Sequence, residues 1–239
     1  MKHILFALLF FSMSASADVD VRIVTNVLAN DSDGIAEDQT TAGADDLTLD
    51  GDLVDSGVAY LPEAQIISIE STGNLSGVTF TVTGKDADYA DVSEDVTGPN
   101  NATVKTTNHF LTVSNIAVDG AVGTNVEVGA LAADGMVTRH IQVEPKRQGY
   151  PMTLGVELSA GTGTFGYQYS IDKPNAGYYA QSYQHSGSWR DAVGLDPDTN
   201  TATGEDNIIA PIRAVRGLVT TGSTTGVYVF KALQGDVPQ

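Results

Sequence analysis

Val78-Thr79-Phe80-Thr81-Val82-Thr83-Gly84-Lys85-Asp86-Ala87-Asp88-Tyr89-Ala90-Asp91-Val92-Ser93-Glu94-Asp95-Val96 is the stretch that decides the fold class. Val78, Phe80 and Val82 alternate with Thr79, Thr81 and Thr83. That is the period of a strand with one face on a core and the other in water. Gly84-Lys85-Asp86 interrupts the alternation, and a polar turn follows around Asp86 to Asp88. The chain then returns through Val92 to Val96, so the stretch predicts a β-hairpin.

The same period recurs on both sides of this hairpin. Val19, Val21 and Ile23 alternate with Asp20 and Arg22. Phe165, Tyr167, Tyr169 and Ile171 alternate with Gly166, Gln168 and Ser170, and Val137, Arg139, Ile141 and Val143 share one face. Turn signals separate the runs at Thr72-Gly73-Asn74, Gly98-Pro99-Asn100-Asn101, Asp119-Gly120, Asp134-Gly135 and Gly222-Ser223. Gly and Asn accept positive φ and Pro fixes φ, so these residues reverse the chain at low cost. No long stretch has apolar residues at helical spacing. Short strands with turns about every ten residues predict an all-β chain built from sandwiches or barrels.

The expected organisation is two β-sandwich domains, immunoglobulin-like or jelly-roll-like, over residues 56–145 and 150–239. Pro145, Lys146, Arg147, Gln148 and Gly149 interrupt the alternation with charge and breakers, which places a boundary at Glu144 to Tyr150. Residues 18–55 read as an extended acidic arm with a first strand. Between Asp31 and Gly84 there is no Lys or Arg, while eleven carboxylates from Asp31 to Glu70 repel one another. Residues 1–17 have a charged start, an apolar run from Ile4 to Phe11 and an Ala15-Ser16-Ala17 ending, the pattern of a secretory signal peptide. Cleavage after Ala17 and a start at Met13 both stay open. The apolar run is too short for a membrane span, which takes about 20 residues.

Composition narrows the function classes. The chain has 239 residues, 12 Lys+Arg against 30 Asp+Glu, and a formal net charge of −18. Such a surface repels a nucleic-acid backbone. The absence of Cys removes disulfides, thiolate metal sites and a Cys nucleophile. Only His3, His109, His140 and His185 titrate near neutrality in the ordinary range. Neither a Gly-x-Ser-x-Gly elbow nor a His-Glu-x-x-His motif is present, and Ser186 beside His185 is adjacency in sequence alone. The reading is a protein with no catalytic residues.

Two Asp-rich stretches carry the oxygen ligands a hard cation such as Ca²⁺ needs. One is Asn30-Asp31-Ser32-Asp33-Gly34 with Glu37 and Asp38. The other is Asp196-Pro197-Asp198-Thr199-Asn200 with Glu205 and Asp206. Neither keeps the EF-hand register; in the second, Thr201 and Asn207 stand where that loop needs Gly and Glu. The reading without a cation is two solvated loops, and no cofactor is expected. An aromatic cluster, Tyr178, Tyr179, Tyr183 and Trp189, lies in a Gly/Ser/Gln-rich segment. Its readings, in order, are a plug or lid on a sandwich core, a subunit interface, and a glycan contact.

Several segments together resemble virion structural proteins of tailed bacteriophages. The first is Gly34-Ile-Ala-Glu-Asp-Gln-Thr-Thr-Ala-Gly43 with Leu47-Thr-Leu-Asp-Gly51. The second runs from Gln65 to Gly84 and continues through Glu94-Asp-Val-Thr-Gly-Pro99 to the stretch Asp119 to Gly129. The third is Pro211-Ile-Arg-Ala-Val-Arg216 with Val227-Tyr-Val-Phe230 and Gln234; Tyr169-Ser-Ile-Asp-Lys-Pro174 and Trp189 precede it. The match spans most of residues 31–239 and is one of phrasing and order. It implies a capsid-decoration, head-fibre-base or tail-associated β-protein, a homo-oligomer docked on major capsid or tail proteins. The leader departs from the pattern, because virion proteins assemble in the cytoplasm. It favours a secreted bacterial surface or adhesion protein as the alternative.

Overall fold

A computed structural model describes residues 19–25, 29–143, 152–171, 189–208 and 212–234. Among them the chain is all-β, with one short 3-10 turn at Ala132–Asp134. The strands are β1 (Val19–Thr25), β2 (Asp31–Thr41), β3 (Asp45–Asp46), β4 (Val54–Asp55), β5 (Val58–Asn74) and β6 (Thr79–Lys85). They continue with β7 (Asp91–Thr97), β8 (Asn100–Val118), β9 (Val122–Ala130), β10 (Met136–Val137), β11 (Ile141–Gln142) and β12 (Met152–Ala160). The last five are β13 (Thr164–Ser170), β14 (Trp189–Asp191), β15 (Gly204–Ile208), β16 (Ala214–Thr221) and β17 (Val227–Gln234). No helix among the described residues is long and apolar enough to cross a membrane.

The hairpin read from sequence forms as expected. β6 and β7 pair antiparallel from Thr79↔Thr97 to Lys85↔Asp91. Phe80 and Val82 are buried, while Thr81 and Thr83 meet Asp95 and Ser93 across the outer face at 2.7 and 3.1 Å. Cross-strand polar pairs of this kind add a few tenths of a kcal/mol each, up to about 1. β8 lies on the other side of β6, with Val82↔Ile116 and Phe80↔Val118 in register. These residues, with Ile35, Ile67, Ile69, Phe110 and Val126, fill the first of two large hydrophobic clusters. Each fully buried side chain of this size contributes about 2 kcal/mol.

The acidic stretch is part of that cluster. β2 pairs with β9, and Gly34, Ile35 and Ala36 turn inward together while Glu37 and Asp38 stay in water. Leu47 is buried as well. Residues 29–55 are therefore packed chain, in place of the loose arm the charge run suggests. Three register shifts along β2 allow a few apolar residues to face inward while the carboxylates point out. β1, the expected first strand, pairs with β17 at the edge of a four-stranded sheet ordered β1-β17-β12-β15.

The second cluster holds Leu154, Val156, Phe165, Tyr167, Val215, Val219, Tyr228 and Phe230. Here two sheets pack face to face. Phe165 and Tyr167 of β13 meet Tyr228 and Phe230 of β17 edge-on, at ring-centroid distances of 5.3 and 5.4 Å. Edge-to-face pairs contribute about 1 kcal/mol beyond the area they bury. The Tyr228 hydroxyl donates to the Thr162 carbonyl at 2.7 Å and accepts from the Ser223 N–H at 3.3 Å, which ties the β16–β17 turn to the chain entering β13.

One thirteen-stranded sheet runs through both clusters, along the path β14-β13-β16-β10-β5-β8-β6-β7. The crossing point is β10, which pairs with Ala64 and Gln65 of β5 on one side and with Leu218 and Val219 of β16 on the other. β5 can reach β10 because Leu61 to Ala64 bulge opposite Leu111, where the pairing shifts from Tyr60↔Thr112 to Gln65↔Phe110. Gly135 takes φ 76°, and a β-carbon there would overlap the Val219 carbonyl, so the chain enters β10 only through glycine. The side-chain clusters change over between Ala130 and Ala132. The boundary expected from sequence at residues 144–150 lies outside the described residues.

Candidate functional site

The densest polar constellation sits where the two clusters meet, and it begins with the β6–β7 turn. Asp86 Oδ1 accepts the N–H groups of Asp88 and Ala90, both at 2.9 Å, so the carboxylate closes the turn on itself. Tyr89 takes φ 63° to complete it. The turn presents Ala87 to Ala64 and Val137 in a small third cluster, packed against Leu111 and Leu218. It also brings Asp88 to the segment between β10 and β11. Asp88 Oδ1 accepts the His140 N–H at 3.1 Å and lies 2.6 Å from His140 Nδ1. That imidazole side chain is 3% exposed. Nδ1 faces the Asp88 carboxylate without a hydrogen bond of good geometry among the described residues.

Arg216 completes the constellation. Strand register sets Gln168 of β13 opposite both Arg216 of β16 and Asp191 of β14. Directly opposed residues share a face, so the three side chains line up across three strands. Arg216 donates through Nε and Nη2 to Gln168 Oε1 at 2.9 and 2.7 Å, and Gln168 Nε2 donates to Asp191 Oδ1 at 2.9 Å. Trp189, two residues before Asp191, shares the Asp191 face of its strand. Its ring lies over the Arg216 guanidinium, 4.2 Å away, and is 6.2 Å from the His140 ring. A desolvated stack of this kind is worth up to about 2 kcal/mol.

The electrostatics follow from burial. Burial pulls the Arg216 guanidinium down to about 10, while Asp88, Asp86 and Asp191 resist the shift. Burial alone would raise Asp88, but the hydrogen bond and charge of His140 and the Arg216 charge outweigh it and hold the carboxyl low. Asp86 is raised, with burial exceeding the effect of its two N–H donors. His109, opposite Ile66 on β8, is pushed down to about 4 by burial and by Arg216. Glu63, in the β5 bulge, is pushed up to about 7 by burial. Asp88, His140, Arg216, Gln168, Asp191 and Trp189 form a joint that ties the hairpin turn, the β10–β11 segment, β13, β14 and β16 together.

Of the aromatic cluster read from sequence, Trp189 is half-buried at this joint, and Tyr178, Tyr179 and Tyr183 lie outside the described residues. His3, His185 and Ser186 lie outside them too. The first Asp-rich stretch is on β2, where the Asp31 carboxyl is raised, first by its hydrogen bond with Asp33 and then by burial. In the second stretch, Asp196 Oδ1 accepts the Asp198 N–H at 2.9 Å and Asp198 Oδ1 accepts the Thr220 hydroxyl at 3.0 Å. Carboxylate oxygens of Asp191, Asp196 and Asp198 lie within 4.8 Å of one another, a set that can hold a cation. Asp206 is used elsewhere, accepting the Gly194 N–H at 3.1 Å. The sequence reading passed over Asp88, Gln168 and the role of Arg216. The available signal was a cation inside an otherwise apolar strand, Ala214-Val215-Arg216-Gly217-Leu218-Val219. Comparison with protein-family models, with curated proteins and with solved structures finds no match.

Proposed function

We propose that this protein is a non-enzymatic structural component of a tailed-bacteriophage virion, a capsid-decoration, head-fibre-base or tail part that self-associates and docks on a larger protein shell. The observation that carries this reading is the joint. Three buried polar groups, Asp88, His140 and Arg216, are spent on one another and on Gln168 and Trp189, between elements of the two clusters. Such an arrangement resists separation of two bodies that share one sheet, as a load-sharing part requires. The virion assignment itself rests on the segments between residues 31 and 239 that resemble phage structural proteins. The net charge of −18 keeps closely spaced copies soluble. Mass spectrometry of gradient-purified particles from the encoding genome tests the reading. The polypeptide should sediment with the particles at a fixed copy ratio, and its absence from them overturns the proposal.

The pattern of Met1 to Ala17 favours a second reading, a secreted surface or adhesion protein. A reporter fused to residues 1–25 leaves the cytoplasm if that reading holds and stays there if it does not.

A further inference from the structure

β17 is a strand whose edge has to be covered. Tyr228, Val229, Phe230 and Ala232 are buried, and an uncovered apolar strand of this length is a template for unwanted pairing. β12 covers one flank, and β1 covers the other with seven ladder pairs, from Val19↔Gln234 to Thr25↔Tyr228. Among the described residues β17 is the sole strand that β1 pairs with. The register sets Arg22 opposite Lys231 across this ladder. Lys231 is held from its other side by Glu157 Oε2 at 2.8 Å.

The chain just beyond β1 is anchored elsewhere. Ala29 is clamped by the fully buried Gln65, its N–H donating to Oε1 at 3.0 Å and its carbonyl accepting from Nε2 at 3.1 Å. Gln65 is also the residue where β5 meets β10. A strand with one partner thus precedes a fixed anchor, with three residues between. The four peptide steps from Thr25 to Ala29 reach at most about 14 Å.

We propose that β1 is an exchangeable strand: residues 19–25 of one copy cover the β17 edge of a second copy. The occupant is a second copy because every copy offers the same edge in the same register, so exchange preserves all seven ladder pairs. Reciprocal exchange vacates and fills the same edge on both molecules, which closes a two-fold pair. The short reach from Ala29 requires that the partner's β17 lie close to the Gln65 corner, giving a tight dimer. This inference rests on the self-association reading and names the element that performs it.

The absence of Cys makes a direct test possible. Asp20 pairs with Leu233, and Leu233 is 42% exposed, so a substitution there leaves the core intact. Directly opposed residues stand about 4.5–5.5 Å apart at Cα, within disulfide reach. Asp20→Cys protein and Leu233→Cys protein are mixed at equal concentration, incubated and oxidised. A covalent heterodimer on a non-reducing gel, increasing with concentration, is the expected result. The double variant Asp20→Cys/Leu233→Cys shows that the pair can bond. If it forms only an intramolecular disulfide and the mixture of single variants forms no heterodimer, strand exchange is overturned. The protein's presence in virions is a separate measurement, so either claim can fall while the other stands.

Discussion

Glu63 and His109 place opposite pH dependences on the same fold, and substitution of either should expose the other. His109 has its folded pKa lowered from 6.5 to about 4. The unfolded chain takes up the proton first, so the stability that neutral His109 contributes is present above pH 6.5 and is lost as the pH falls through 4. Glu63 has its folded pKa raised from 4.5 to about 7. Its contribution is full below pH 4.5 and is lost as the pH rises through 7. Gaps of this size correspond to about 3 kcal/mol each. Water still reaches the half-buried Glu63 carboxyl, so about 2 kcal/mol is the better figure for it. Between pH 4.5 and 6.5 the two slopes oppose, and the pair together leave the stability nearly flat.

Glu63→Gln keeps the shape and removes one slope. The variant should match the parent near pH 4.5 and exceed it by about 2 kcal/mol at pH 8. Its own stability should then fall more steeply than the parent's as the pH drops from 7 to 4. His109→Gln should show the mirror image, gaining on the parent as the pH falls below 6.5. The assay is urea unfolding followed by far-ultraviolet circular dichroism at several pH values, with the m-value checked for constancy. A difference between Glu63→Gln and parent that does not change with pH would refute the reasoning, as would a variant less stable than the parent at pH 8.

Three further outcomes follow from the geometry. Arg216→Lys keeps the charge but loses the two-pronged donation to Gln168 and the planar stack on Trp189; stability should fall by about 1–3 kcal/mol, and an unchanged unfolding midpoint would deny the joint its structural role. Tyr228→Phe should cost about 1 kcal/mol, whereas Tyr167→Phe should be neutral or stabilising, because the buried Tyr167 hydroxyl has no hydrogen-bond partner among the described residues; equal losses in thermal unfolding would contradict this. Trp189 is the single tryptophan, so its fluorescence reports on the joint alone, and its unfolding transition should coincide with that of circular dichroism; an earlier fluorescence transition would mean that the joint opens before the clusters do.

What the sequence disclosed depended on whether a strand kept one partner along its length. The β6–β7 hairpin was legible because the seven residues of β6 and the seven of β7 pair in one unbroken register, Thr79↔Thr97 to Lys85↔Asp91. Phe165 and Tyr167 of β13 were legible for the same reason. β2 was not: its register shifts break period two, so the inward trio Gly34-Ile35-Ala36 read as part of a charged arm. β5 changes neighbours along its length, from β10 at Ala64 and Gln65 to β9 from Ile67 onward, and periodicity carries no trace of such a switch. The joint was hidden for another reason. Asp88 sits in a locally polar turn that normally faces water, Arg216 is a lone cation in an apolar strand, and only tertiary structure brings them within one field. Trp189 stood out in the sequence as part of an aromatic cluster, but its partner Arg216 could not be named from its neighbours.

The crossing through β10 explains why a polar joint is needed at all. β10 offers two residues to each flank, so the sheet is narrowest where the two clusters meet. A few backbone hydrogen bonds, each worth about 1 kcal/mol net, and the small cluster of Ala64, Ala87 and Val137 would leave this crossing thinly held. Apolar contacts resist separation but are tolerant of sliding and rotation, since they have little directionality. Hydrogen bonds at fixed angles and a ring stacked on a planar cation are not. The contact of Asp88 with His140 fixes the hairpin turn to the β10–β11 segment, and the Arg216–Gln168–Asp191 line with its Trp189 cover fixes β16, β13 and β14. Polar groups carry a desolvation cost that an apolar seam would avoid. Their presence at the narrowest crossing is therefore best understood as setting the angle between the two clusters.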